Sequence, residues 1–305
     1  MLSVAALAAQ VGQQGTASGP IRIDPAYRSL AAATGGHALP ISPEELGTPE
    51  AGQLMVALAI YNATILVIDQ ANVDAPRSYE FPVDSSVRGL SVVVSGKAQV
   101  TLMGPDRLSV EPGHPGVAVV RLSRVTGYMI EVPAPGLWTV AVDASEPFLM
   151  TVEAKSALDV VSARFVERGG RPGHERLFPI YGNPAAGEPG TLEVSLMEPL
   201  QEVAIGLRRP NGEALEQATI TQQSGDEYLA SVVVPDETFR VYVLGKDATG
   251  HTIQRAESAT VSPQRFFVEP LQGSMSVWPG DRATARFRLE NRGQASKLRR
   301  LRGYG

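Results

Sequence analysis

Leu90-Ser91-Val92-Val93-Val94-Ser95-Gly96, followed by Lys97-Ala98-Gln99-Val100-Thr101-Leu102-Met103-Gly104-Pro105, decides the fold. Leu90, Val92 and Val94 alternate with their neighbours, as do Val100 and Leu102, and Gly96 and Gly104-Pro105 interrupt the runs. Apolar residues at period two share one strand face, and Gly and Pro mark the turns between strands. The same texture runs outward on both sides. Thr64 to Asp69 and Tyr79-Phe81-Val83 precede it; Val117-Val119-Arg121, Tyr128-Ile130-Val132, Trp138-Val140-Val142 and Leu149-Thr151-Glu153 follow. About eight strands in about ninety residues leave no room for crossover helices, so the sheets are antiparallel and close as a sandwich or jelly roll. Leu90, Val92, Val94, Trp138, Val140 and Val142 are expected inside it.

A second block, from about Arg164, repeats the pattern in Leu192-Val194-Leu196, Val203-Ile205-Leu207, Ala218-Ile220, Tyr228-Ala230-Val232, Phe239-Val241-Val243 and Ile253-Arg255. Its turns at Pro210-Asn211-Gly212 and Asp247-Ala248-Thr249-Gly250 and its size fit an immunoglobulin-like sandwich. From Phe266, Met275-Val277 and Ala283-Ala285-Phe287-Leu289 give two more strands around Pro279-Gly280-Asp281, too few to close a core. The expected division is 1–62 helical, 63–163 and 164–263 as sandwiches, and 264–305 as a partial sandwich with a basic tail. The strand pattern stops at Val152-Glu153-Ala154 and resumes beyond Gly169-Gly170. A linker is therefore expected there, with two separate cores joined end to end.

The N-terminal part reads differently. Leu2 to Ala9 has the length of a secretory apolar region and carries Ala6-Leu7-Ala8, but no positive residues precede it. Asp24-Pro25 opens a short helix with Ala26, Leu30 and Ala33 on one stripe and Gly35 at its end. Ser42-Pro43-Glu44-Glu45 opens a smaller turn. Thr48-Pro49 then starts a helix with Leu54, Met55, Leu58 and Tyr61 at helical spacing.

The 305 residues carry a net charge of −5, and Cys is absent. The acidic balance argues against binding nucleic acid by phosphate neutralisation. The missing Cys excludes disulfides, thiolate metal sites and a Cys nucleophile. No apolar run suits a membrane-spanning helix. Lys297 to Gly305 holds four positive charges, read as a solvated tail.

No nucleophile elbow, P-loop, dinucleotide glycine pattern or His-Glu-x-x-His occurs. His37, His114, His174 and His251 are scattered, two of them in Pro-Gly-His turns. No catalytic residue, metal ligand or cofactor is therefore assigned, and the chain is expected not to be an enzyme. Asp84-Ser85-Ser86 is one place out of step with an Asp-x-Ser-x-Ser adhesion site and reads as a strand end. Glu44-Glu45, Asp143 with Glu146, and Asp226-Glu227 lack a calcium-loop spacing and read as solvated faces. Leu158-Asp159-Val160, a tripeptide that integrins read in flexible loops, reads here as junction packing. Asn62-Ala63-Thr64 is a glycosylation sequon, so Asn62 is a candidate modification site. Trp138 is a weak candidate for stacking on a sugar, set against a place in the core.

The order of motifs resembles a known family. Tyr27-Arg28-Ser29-Leu30-Ala31 with Thr34-Gly35-Gly36 resembles the closing helix of a von Willebrand factor A domain. Phe81-Pro82-Val83-Asp84, then Leu90 to Gly96, Gly104-Pro105, Val132 to Val140 and Ser156 to Val160, is similar to the region after that domain in hemicentin and its relatives. Phe239-Val241-Val243, Gly245, Asp247, Gly250 and Arg255 resemble the next immunoglobulin-like segment, and Pro279-Gly280 with Phe287-Leu289-Asn291-Gly293 resembles the start of another. The resemblance implies a galactose-binding-like first sandwich and a secreted, extracellular or cell-surface protein of cell adhesion or extracellular matrix, with other extracellular proteins or glycans as partners. The metal-ion adhesion site of the A domain has no counterpart here. The expectation is a mainly β chain of tandem antiparallel β-sandwiches, acting as a spacer with interaction modules. The alternatives are a carbohydrate-binding module or an accessory region of a secreted hydrolase.

Overall fold

In a computed structural model of the chain, the described residues are 23, 26–27, 31, 37–60, 64–71, 76–210, 212–271, 276, 278, 280 and 284–291. The first unit is a sandwich of two antiparallel sheets. Strands β1 (Thr64–Ala71), β8 (Phe148–Ser156), β3 (Val87–Ser95), β6 (Val125–Glu131) and β5 (Val117–Arg121) form a five-strand layer. Facing it are β2 (Arg77–Val83), β7 (Gly136–Ala144) and β4 (Ala98–Met103). Leu90, Val92, Val94, Trp138, Val140 and Val142 all lie in the core between the layers, as their alternation predicts. Tyr128 closes one side by donating its hydroxyl to Val100 O at 2.8 Å.

Strand β8 shows where alternation misleads. Phe148, Met150, Val152 and Ala154 face the core, while Thr151 and Glu153 are buried on the opposite face. The outer face of the five-strand layer is itself covered, so both phases of the strand are buried and the polar-out signal disappears.

Two helices are described. The first, α1 (Pro43–Leu46), is capped by the reciprocal Ser42–Glu45 hydrogen bonds. Burial works against the Glu45 carboxylate, but hydrogen bonds from Ser123 and Ser42 hold its pKa below the ordinary value. The Ser123 N–H donates to it at 2.6 Å, which ties α1 to the β5–β6 turn. The second helix, α2 (Pro49–Ile60), starts where Thr48 Oγ1 accepts from Ala51 N. Leu54, Ala57 and Leu58 pack on Val93, Val120, Val125 and Met129 of the sheet's outer face. Gly127 makes the room, because a Cβ there would sit 2.9 Å from Leu54 Cδ1. The helix at 24–36 is described only at Ala26, Tyr27 and Ala31, which are helical. Helices α1 and α2 thus form a third layer on the first sandwich.

The second unit has its own core. Strands β9 (Val160–Gly169), β10 (Arg176–Pro179), β11 (Pro189–Leu196) and β14 (Glu227–Val233) form one layer, in the order β10-β9-β11-β14. Strands β12 (Gln201–Arg208), β15 (Arg240–Lys246) and β16 (Thr252–Ala256) form the other. The eleven-residue β13 (Ala214–Ser224) belongs to both. Residues 214–218 pair with β12 and residues 219–224 with β14, with an irregularity between Ile220 and Gln222 inside the second ladder.

The expected linker is corrected. Strand β8 runs to Ser156 and β9 begins at Val160, so three residues connect the sandwiches. Residues 168–174 belong to the β9–β10 hairpin region, which the sequence hid because only Phe165 and Val166 of β9 are buried. The purely end-to-end arrangement is corrected too. Strand β16 pairs with β1 at Ile65↔Ala256, so the sheets of the two sandwiches join edge to edge. In the last block, β17 (Phe266–Pro270) pairs with β18 (Phe287–Asn291). Met275 and Val277 lie outside the described residues.

Candidate functional site at the junction of the two sandwiches

A buried polar network lies where the two sandwiches meet. Its centre is Arg255 on β16, with a side chain 1% exposed, against Asp84, 0% exposed, just beyond β2. Arg255 Nη2 donates to Asp84 Oδ2 at 2.7 Å and to Ser156 Oγ at 2.9 Å. Its Nε donates to Leu158 O at 2.7 Å and its Nη1 to Gln254 O at 2.9 Å. The planar guanidinium therefore binds β2's end, β8's end, the connector and its own strand at once. Ser86 completes the set. Its N–H donates to Asp84 Oδ1 at 3.0 Å, its hydroxyl also bonds Asp84, and that hydroxyl lies 2.6 Å from Ser156 Oγ.

A second clamp stands beside it. Asp247 follows β15, and its Oδ1 accepts from Thr249 N, Thr249 Oγ1 and His251 N at 2.7–2.9 Å. Its Oδ2 reaches the first sandwich, accepting from Ser85 Oγ at 2.6 Å and Ser85 N at 3.1 Å. Burial raises the Asp247 pKa, but these hydrogen bonds outweigh it and hold the carboxyl far below the ordinary range. Such a carboxylate stays ionised and offers no proton to transfer.

Around these clamps, Gln254 Nε2 donates to Leu66 O at 2.8 Å, and Ile65, Tyr242 and Ala256 form a small apolar cluster. The connector is held as well, since Met197 N donates to Asp159 O at 3.0 Å. Burial raises the pKa of Asp159, and it likewise raises that of Glu257, to which the Asp159 charge adds.

Sequence reasoning passed over this site. Asp84, Ser85 and Ser86 read as a strand end and Leu158-Asp159-Val160 as junction packing; the latter is where Leu158 is in fact buried. The available signal was Arg255, a charge in phase with Ile253 on its strand.

The other candidates lie elsewhere. Trp138 is 4% exposed and its Nε1 donates to Ala134 O at 2.9 Å, so the ring offers no stacking face. Asn62 lies outside the described residues. His37 Nε2 is 3.0 Å from Glu153 Oε2 in a buried pair under the N-terminal layer. His251 Nδ1 sits 2.7 Å from Thr249 Oγ1, and His114 and His174 are exposed in turns. The four histidines do not meet. Among the described residues no group of three His, Cys, Asp or Glu is placed to hold a metal ion, and no helix is long and apolar enough to cross a membrane.

Comparisons with known proteins add the following. No curated protein matches the chain. The propeptide form of the lipase BlEst2 from Bacillus licheniformis is 15% identical with a TM-score of 0.35, over 62% of this chain and 39% of that one. The apo β-glucuronidase 3 of Bacteroides uniformis is 10% identical with a TM-score of 0.24, over 66% of this chain and 29% of that one. Both chains are much longer than the part matched, and scores this low carry no argument. The match does not reach the A-domain or immunoglobulin-like parts of the resemblance. What it does cover is the first sandwich: residues 64–157 match the model described as hemicentin galactose-binding domain-like.

Proposed function

We propose that this chain is a non-enzymatic extracellular or cell-surface adhesion or matrix module whose two sandwiches are held in one orientation, so that it spaces and presents interaction loops. The observation that carries the reading is the fully buried Arg255–Asp84 pair across the junction, with the Ser85–Asp247 clamp beside it. A buried ion pair is weak evidence for stability, because desolvation offsets the attraction, but it fixes geometry sharply: each charge has one place where it is compensated. A three-residue connector spans at most about 11 Å at ~3.6 Å per residue, which keeps the units in contact. The match of residues 64–157 to the hemicentin galactose-binding-like model supports the adhesion setting. Partners on this reading are other extracellular proteins or glycans. A galactose-binding-like fold carries no sugar site by itself, and Trp138 is in the core, so a carbohydrate-binding module is the second choice.

Small-angle X-ray scattering of the whole chain tests the reading. The wild type is expected to fit one rigid arrangement, and Arg255→Ala an expanded, flexible one with both sandwiches folded. A wild-type curve that requires many orientations would sink it. A glycan array, negative on this reading, would promote the alternative if the chain bound a defined sugar.

A further inference from the structure

Strands β17 and β18 form a sheet of two strands, separate from the sheets of both sandwiches. Their register pairs Phe266 with Asn291, Val268 with Leu289, and Pro270 with Phe287. Residues paired across an antiparallel ladder share a face, so these six lie on one side. The other side carries Glu269 and Arg288, joined as an ion pair at 3.3 Å, and Glu290. The hairpin is therefore amphipathic, yet on its apolar side Phe266, Val268, Phe287 and Leu289 are 54–62% exposed. A hairpin of two strands is marginal by itself in water, and an apolar side gains stability only when a second surface covers it.

The pattern of that face points to what covers it. Along β17 the side chains run Phe266, Val268, Pro270, and along β18 they run Phe287, Leu289, Asn291. Because the strands are antiparallel, the two rings stand at diagonal corners, Pro270 and Asn291 take the other two, and the aliphatic pair fills the centre. A twofold axis lying between two such faces reverses the diagonal. Each Phe of one copy then meets the smaller Pro270 or Asn291 of the other, large against small, as interdigitating layers require. None of the six is charged, so the contact strands no charge and brings no like charges together. Aromatic side chains bury about 150–250 Å² each when fully covered. At the observed exposures the face offers on the order of 500 Å² per copy, and two copies reach about 1,000 Å², the lower bound of a specific interface. We propose that the β17–β18 face is a self-association surface, on which a second copy of this chain docks to make a two-layer sandwich of four strands. The inference rests on neither the rigid junction nor the adhesion reading.

Sedimentation velocity of the whole chain over a concentration series tests it. The wild type is expected to pass from the mass of one chain to that of two, with a micromolar dissociation constant, as at the low end of interface size. Val268→Glu, which sets two carboxylates near the centre of the contact, should remain one chain, and so should Val268→Lys. A mixture of these two variants should form two-chain species that neither forms alone and that an unfolded hairpin could not form. Phe266→Ala/Phe287→Ala, which removes both rings, is expected to weaken association about tenfold or more. Glu269→Gln/Arg288→Gln, on the opposite side of the hairpin, should leave it unchanged. The proposal fails if the wild type is still one chain at about 1 mM. It fails equally if the Val268 variants associate as the wild type does, if their mixture associates no more than either alone, or if the opposite-side variant abolishes association. Growth beyond two chains also defeats it, since that is the mark of strands adding edge to edge.

Discussion

Arg255 and Asp84 illustrate how much a single buried pair can control. Neither side chain has water to fall back on, so removing one leaves the other charge stranded. Arg255→Ala is expected to cost about 3–5 kcal/mol in urea unfolding. Arg255→Lys should recover only part of this, because an ammonium cannot reproduce the fork that reaches Asp84, Ser156 and Leu158 together. Trp138 is a different case, an apolar filler with one satisfied N–H. Trp138→Ala should cost about 3–5 kcal/mol by leaving a cavity, read from the same denaturation curves. If that variant were nearly neutral, the ring would not be the core residue that its alternation indicates.

At the scale of elements, α2 shows why a helix of twelve residues is held by packing more than by propensity. Its Leu54 is fully buried on the sheet, over the space that Gly127 leaves. Leu54→Ala is expected to lose about 2–5 kcal/mol, and Thr48→Ala, which removes the cap, about 1 kcal/mol. Hydrogen exchange should show the two variants exposing different regions. Leu54→Ala should loosen β3, β5 and β6 as well as the helix, whereas Thr48→Ala should affect the first helical turn. The helix start was legible from Thr48-Pro49 and a turn from Ser42-Pro43-Glu44-Glu45, because such signals are local, whereas the reciprocal Ser42–Glu45 cap came from the structure. Strand β9 was not legible, because its register depends on partners far along the chain.

For the whole molecule, the junction couples the two sandwiches to pH. The Asp247 pKa lies below the ordinary Asp value of 3.8 in the folded chain, so its contribution is fully present above that value. It is lost as pH falls below 3.8 toward the lowered folded value. The wild type should therefore lose stability relative to Asp247→Asn in an acid titration over that range, measured as the difference in unfolding free energy. Asp159 and Glu257 act in the opposite sense. Burial raises both, so the stability linked to their neutral forms is present below their ordinary values and declines as pH rises through the raised ones. Limited proteolysis should also report the architecture. Cleavage at 168–174 cuts the β9–β10 hairpin and should destabilise the second sandwich without freeing two intact units. Release of two stable fragments by that cut would contradict the three-residue connector.

The sequence alone determined the mainly β class, most strands, the N-terminal helix starts and the core of the first sandwich. All of these rest on periodicity and turn chemistry, which act within a few residues. Only the tertiary structure decided that β8 is buried on both faces, that β13 serves two sheets, and that β1 and β16 join the sandwiches. It also decided the candidate sites. Asp84 and Arg255 are 171 positions apart in the chain and meet only in the fold. A charge in a strand looks the same in sequence whether it meets water or a buried partner, and the difference is set by the fold that brings the partner to it.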